Sequence, residues 1–260
     1  MIRYGPCIWS SACEGIYILS IIFMLHSPIH RIAVLPLAPV NRSPVPGLTS
    51  LYHKAFAGPY GSRSYPGNCS GELIKDLLKY FRPRRVLDPM TGSGTCLDVC
   101  RELQINCVSF DIRGGKDACD SHSYDGLGKF DFIWLHPPYW RQKVYTDDPR
   151  DLSRCKTLEA FLARYEELVE SCVGALEPGG RLAVLMGDYS DREAGYCPLV
   201  FYTQRICFQA GLKQHDTQII RFSHGASSSR KTYESSFIPG LHDVCTIVQK
   251  PAPAVHAMAA

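Results

Sequence analysis

Apolar residues at Leu73, Ile74, Leu77, Leu78 and Phe81 recur at the three-and-four spacing that lines one helix face, with Ser70 placed to cap the helix and Pro83 to end it. Beyond Pro83 the period changes. A short apolar strand at 85–88 runs into a glycine-rich turn at 90–95, a helix follows at 96–103, and a second strand at 107–111 closes a β-α-β unit. Strands joined in this way are parallel and need a right-handed crossover. The same reading predicts strands at 130–135, 181–187, 218–222 and 243–249, and helices at 158–176 and 198–210, the first of these stopped by Pro178, Gly179 and Gly180. Strands alternating with helices of these lengths predict an α/β fold, doubly wound, with a mostly parallel sheet covered on both faces.

Residues 36–68 are dense in Pro, Gly and Ser and predict an irregular lead-in. Three regions follow from this: an N-terminal extension at 1–65, one catalytic domain at 66–250 that orders from about Asn68 or Ser70, and a disordered tail at 251–260. The run at 15–25 is the most hydrophobic of the chain, yet its eleven residues fall short of the roughly 20 that span a bilayer. A single basic residue (Arg3) and Glu14 precede it, and Met24 lies inside it. These features favour an extension that does not pack over a signal peptide or membrane anchor.

Composition narrows the class without naming it. The 260 residues are 45% hydrophobic and 20% charged, enough for one large core, and the net charge of +3 is too mild to announce nucleic acid by itself. Twelve cysteines are scattered with no CxxC pair and no Cys/His cluster, a pattern of reduced thiols in a cytoplasmic protein without a structural metal. Cys96 and Cys100, four apart, share a helix face.

Two segments concentrate chemistry. In VLDPMTGSGT a strand delivers Asp88 and Pro89 into a turn made of Met90, Thr91, Gly92, Gly94 and Thr95, at the strand end where open α/β sheets bind ligands. The dinucleotide pattern GxGxxG is absent, and the charge of Asp88 would repel a pyrophosphate, so the turn suits a cationic or amine-bearing ligand. Asp111, 23 residues after Asp88, stands where a carboxylate can accept both ribose hydroxyls of an adenosine moiety, and Asp117 is placed to meet its adenine ring. In FDFIWLHPPYW a buried strand ends at His136 in two prolines, Pro137 and Pro138, which fix the backbone and remove two donors. Tyr139 or Trp140 can then stack on a planar base.

DPMTGSGT followed by HPPYW resembles the DNA amino-methyltransferases, whose signatures are an Asp-Pro-Phe-x-Gly-x-Gly-Thr cofactor loop and an (Asp/Asn/Ser)-Pro-Pro-(Tyr/Phe/Trp) catalytic loop. The likeness runs through LEPGGRLAVLMGD, QAGLKQHDTQIIRF and LHDVCTIVQK and covers about residues 66–250. It implies a seven-stranded Rossmann-like sheet, S-adenosylmethionine as cofactor, and methyl transfer to the exocyclic amine of adenine (N6) or cytosine (N4) in DNA, with RNA as a possible partner. It also implies a mechanism in which the His136 side chain and the Pro137 carbonyl accept the amine hydrogens, so that the lone pair is localised for attack. HPPYW holds no cysteine, which excludes the carbon-5 cytosine mechanism in this loop. The target base must leave its stack.

The chain departs from the family pattern at two places. His136 replaces Asp, Asn or Ser and accepts only when neutral, which predicts activity falling with pH through about 6.5, the ordinary histidine value. No separate target-recognition domain is visible, which leaves substrate contact to Trp140, to residues 141–154 beginning with Arg141, and to the basic stretch 221–231 with Arg221, Arg230 and Lys231, or to a separate specificity partner. The open alternatives are an RNA base or a protein glutamine as acceptor, and a catalytically inactive nucleic-acid-binding relative.

Overall fold

The structure, a computed structural model, describes residues 40–54, 57–222, 238 and 240–253. The chain divides into two compact units, Met1–Val40 and Asn41–Ala260, and every element below lies in the second. The run at 15–25 and residues 254–260 of the expected tail lie outside the described residues. No described helix is long and apolar enough to cross a membrane.

In chain order the elements are β1 (Leu51–Tyr52), α1 (Glu72–Phe81), β2 (Arg85–Asp88), α2 (Thr95–Glu102), β3 (Asn106–Ser109), β4 (Phe130–Leu135), α3 (Leu158–Ala175), β5 (Leu176–Met186), β6 (Tyr189–Asp191), β7 (Gly195–Cys197), α4 (Leu199–Gln209), β8 (Lys213–Gln214), β9 (Ile219–Arg221) and β10 (Asp243–Gln249). Eight strands form one sheet in the order β1-β9-β10-β5-β4-β2-β3, with β8 beside β10, and β6 and β7 form a separate hairpin. β3, β2, β4 and β5 run parallel, whereas β10 is antiparallel to both β5 and β9. This is the expected α/β, mostly parallel, Rossmann-like sheet, with eight strands where the resemblance implied seven, the two-residue β8 pairing with β10 off the main path.

Strand order places the site. From β2 the chain crosses to β3 on one side, then returns to β4 on the other, so the order reverses between β2 and β4. Ligands of open α/β sheets bind in the crevice outside the carboxyl ends of strands at such a reversal. The paired register Val86↔Phe132 and Leu87↔Ile133 carries both strands out at the same edge.

Both faces of these strands are covered, which is why they read as unbroken apolar runs. Leu87, Ile133 and Leu135 pack with Phe161, Leu168 and Val169 of α3 and with Leu199 and Ile206 of α4. Val86, Phe132 and Trp134 point the other way, onto Leu73, Ile74, Leu77 and Leu78 of α1 and onto Cys96, Val99 and Cys100 of α2. The period-two alternation along each strand divides one continuous run between two cores.

Several boundaries differ from the sequence reading. Ser70 is not the cap of α1: it sits at φ 70°, and Gly71 occupies the N-cap with no side-chain bond. Pro178, Gly179 and Gly180 do not stop α3, which ends at Ala175 and passes straight into β5. They form instead an irregularity of that strand, because Phe130 pairs with Leu176 but Phe132 with Arg181. Gly179 and Gly180 then exchange backbone bonds of 2.8 and 2.9 Å with Lys250. β3 ends at Ser109, two residues before Asp111.

The Pro- and Gly-rich segment ahead of α1 supplies an edge strand that its composition conceals. β1 pairs parallel with β9, Leu51 to Ile220 and Tyr52 to Arg221. Tyr52 is 2% exposed and donates its hydroxyl to Asp76 of α1 at 2.8 Å, while Lys54 pairs with the same carboxylate at 3.1 Å. Tyr52→Phe is expected to lower the unfolding free energy by about 1–2 kcal/mol, the cost of an unmade buried hydrogen bond, with a lower urea midpoint at unchanged slope. An unchanged midpoint would show that this segment does not help to hold the sheet.

Candidate active site

The turn after β2 is tied down by its own backbone. Thr91 N–H donates to the Phe110 carbonyl at 3.0 Å, Phe110 N–H to the Asp88 carbonyl at 3.1 Å, and Gly94 N–H to the Thr91 carbonyl at 2.8 Å. Gly92 (φ 52°) and Gly94 (φ 88°) take left-handed backbone that a side chain would strain, and Gly94 is the N-cap from which α2 starts. Thr91 and Ser109 share a hydroxyl hydrogen bond, and Thr95 Oγ1 donates to Asn68 Oδ1 at 2.9 Å.

Asp88 is 3% exposed and accepts from Met90 N–H at 3.2 Å. Burial, helped by Cys107 and Asp111 nearby, pushes its carboxyl up to about 8. Asp111 accepts from Gly92 N–H at 3.0 Å and from Arg113 N–H at 3.1 Å, so one carboxylate both shapes the glycine turn and faces the space in front of it. Ser93 Oγ is buried with no hydrogen-bond partner.

On the other side of the reversal, β4 ends at Leu135 and releases His136 and the two prolines. His136 is half-buried, and its Nε2 lies 3.3 Å from the Tyr139 hydroxyl. Burial and the neighbouring Arg221 guanidinium, opposed by Asp243, press the imidazole down to about 4. Arg221 is itself buried, donates to the Cys69 carbonyl at 3.0 Å and pairs with Asp243.

The two turns open into one cleft. Asp88, Met90, Thr91, Gly92, Thr95 and Asp111 line it from the β2 side, His136 and Pro138 from the β4 side. Tyr65, Asn68, Ser93, Cys96, Tyr145, Thr146 and Asp151 also line it. Tyr65 and Tyr145 stack with ring centroids 5.9 Å apart at 27°, and the Arg113 guanidinium lies 4.6 Å from the Tyr65 centroid. Three carboxylates and no lysine or arginine line the cleft, so among the described residues its wall favours a cation over an anion.

Other residues singled out from sequence are engaged elsewhere. Trp140 is 1% exposed and donates its indole N–H to the Cys155 carbonyl at 2.8 Å, so its faces are covered by protein and cannot stack on a base. Arg141 packs on Trp140 and pairs with Asp191 at 2.7 Å and Glu193 at 2.6 Å, which makes it an anchor of its loop rather than a substrate contact. Asp117 pairs with Arg164 at 2.8 Å, accepts from Cys119 N–H at 3.0 Å and does not line the cleft. Arg221 stands behind His136, held by Asp243, rather than reaching outward. Pro89 and Pro137 are buried, and Pro89, Gly94, Pro137 and Tyr139 support the turns without lining the cleft. Arg230 and Lys231 lie outside the described residues.

Further cleft residues come from two segments. Tyr145, Thr146 and Asp151 belong to the 141–154 stretch expected to meet substrate, within which the sequence reading singled out only Arg141. Asp151 gathers that stretch, accepting from Thr146 N–H at 2.8 Å and from Ser153 N–H at 2.8 Å. Tyr65 comes from the lead-in, and only its aromatic character among small residues marked it.

No protein-family model matches the chain, nor does any curated protein. Solved structures do match. One is TTHA0409 of Thermus thermophilus, described as a proposed DNA modification methylase and solved with S-adenosyl-L-methionine: 18% identity, TM-score 0.38, 65% of this chain and 56% of that one. A SAM-dependent methyltransferase from Archaeoglobus fulgidus matches at 16% identity and TM-score 0.41, over 69% of this chain and 94% of that one. TrmN from Thermus thermophilus matches at 18% and 0.37, over 69% and 48%. The match spans about half the length of TTHA0409. The chemistry of this chain rests on its own residues.

A Cβ added at Gly92 would lie 2.9 Å from Cε1 of Tyr65, on backbone already at positive φ. Gly92→Ala should therefore cost about 1–2 kcal/mol in backbone strain, plus the displacement of Tyr65. In a double-mutant cycle by urea unfolding, Tyr65→Ala should recover the second part only. Strict additivity would mean that Tyr65 does not rest on this turn.

Proposed function

We propose that the chain is an S-adenosylmethionine-dependent methyltransferase whose acceptor is the exocyclic amine of a nucleic-acid base, adenine or cytosine in DNA. The observation that carries the reading is that the acidic glycine turn and the histidine–proline turn line one cleft at the reversal of strand order. Either turn alone has ordinary structural explanations. Their meeting would seat a donor and an acceptor in one cleft.

The residues fit the cofactor. A cleft with three carboxylates and no basic side chain suits a ligand bearing a sulfonium and an ammonium, and the buried, unpartnered Ser93 hydroxyl is a polar group still seeking a partner. Asp88 would meet the cationic end and Asp111 the ribose hydroxyls. S-adenosylmethionine supplies an electrophilic methyl group on sulfur. What the chain supplies is orientation and a lone-pair acceptor. With Nε2–H of neutral His136 donating to the Tyr139 hydroxyl, Nδ1 is left to accept an amine hydrogen, while Pro137, buried off the cleft, fixes the loop that presents the imidazole. Taking up that hydrogen localises the amine lone pair for in-line attack. The low value of His136 supports this role, because an imidazolium has no acceptor to offer.

Two pH dependences follow, with opposite causes. His136 is neutral above about 4, so turnover on its account stays level from pH 8 to about 5 and declines below, rather than breaking near 6.5. A pH profile of tritium transfer into DNA, with His136→Ala as reference, checks this. A break near 6.5, or full turnover in His136→Ala, contradicts the assignment. Asp88 behaves in the reverse sense. Its carboxyl is protonated below about 8, and a cation binds the ionised form, so cofactor affinity should rise roughly tenfold per pH unit from 6 towards 8 and release a proton on binding. Calorimetry in buffers of different ionisation enthalpy measures that proton. Asp88→Asn should bind weakly with no such slope, and an identical slope in that variant would remove Asp88 from the cofactor site.

Parallel assays of DNA, RNA and protein fractions choose the acceptor. Label confined to RNA or protein would keep the donor half of the reading and overturn the acceptor half.

A further inference from the structure

Cys96 and Cys100 share the face of α2 that packs on the sheet, and the fold adds a third thiol from the neighbouring strand. The Sγ atoms of Cys96, Cys100 and Cys107 all lie within 4.8 Å of one another. Cys96 and Cys100 are 1% and 0% exposed, whereas Cys107, on β3 at the sheet edge, is partly open to solvent. Among the described residues this is the one group of three or more histidine, cysteine or carboxylate side chains close enough to share an ion, and it lies beneath the glycine turn, with Cys96 reaching the floor of the cleft.

We propose that Cys96, Cys100 and Cys107 form a trigonal three-thiolate site for a single cuprous ion. Metal–sulfur bonds of about 2.3 Å put three sulfurs about 4 Å apart around a central ion, so the observed spacing needs a contraction of less than about 1 Å, within reach of side-chain rotation. Soft thiolates select soft ions. Zinc takes four protein ligands in a closed structural site, and no fourth histidine, cysteine or carboxylate joins this group. Monovalent copper is satisfied by three sulfurs.

The three thiols and the nearby Asp88 are electrostatically linked: the Cys100 thiol is lowered from its ordinary range, whereas Cys96 and Cys107 are raised, so a soft cation has to displace their protons. Each remaining thiol that ligates gives its proton to solvent, and binding tightens as pH rises. Access is through Cys107, the partly open member. The bound ion would fasten α2, which begins in the cofactor turn, to β3, which leads to Asp111. No change in oxidation state is involved.

The test uses the full chain, reduced and anaerobic, titrated with Cu(I) against a bathocuproine chelator. Expected is one equivalent held tightly, three sulfur neighbours near about 2.3 Å in X-ray absorption, and a raised melting temperature. Cys107→Ser and Cys100→Ser should each weaken binding by about tenfold or more, and Cys172→Ser, buried under the opposite face of the sheet, should leave it unchanged. Cys107→Ser keeps the test alive should the buried variant fail to fold. Failure to hold copper against the chelator, equal loss in Cys172→Ser, or displacement of copper by zinc would overturn the site. None of these readouts depends on methyl transfer.

Discussion

β2 lies between β3 and β4 and runs parallel to both, and the position of every chemical group in this chain depends on that constraint. Val86 and Leu87 are register partners of Cys107 and Val108 on one side and of Phe132 and Ile133 on the other. Three strands therefore end at one edge, and whatever follows each of them, Asp88, Asp111 or His136, is delivered to the same place. The pairing is enforced from both faces, since Val86 and Leu87 are fully buried in opposite cores. A slip of one residue would exchange the two faces and bring Asp88 into apolar packing.

That delivery has an electrostatic cost which the site turns to use. Asp88 is buried with too few donors to hold its charge, which keeps its carboxyl close to neutral. Arg221 and Asp243 form a buried pair behind His136, and burial, helped by the guanidinium against Asp243, keeps the imidazole neutral. Burial thus raises one carboxyl and lowers one imidazole, so both groups sit near their neutral forms in one cleft; on the proposed reading the first meets the methyl donor and the second the acceptor.

The fold was legible where one residue's neighbours in sequence decide its environment. β2, β4 and β10 fall where the apolar runs place them, and the glycine turn shows itself because strand, acid, glycines and helix are contiguous. Long-range pairing hid the rest. β1 is two residues in a Pro-rich segment, and it is a strand only because β9 lies beside it. Trp140 and Arg141 read as exposed ligands of a base, but Cys155 and Asp191, fifteen and fifty residues away, claim them. Asp117 was lost to Arg164 in the same way. Cys96 and Cys100 were visible as a pair, and Cys107 joined them only through the crossover.

The account stands on the cleft being the seat of an adenosyl ligand, and the most direct measurement is a crystal structure of the full chain grown with S-adenosylhomocysteine. The prediction is a nucleoside lying across the glycine turn, with Asp111 at the ribose, Asp88 at the amino acid end, and the sulfur facing His136. A ligand seated away from these three residues, or none at saturating concentration, would contradict it.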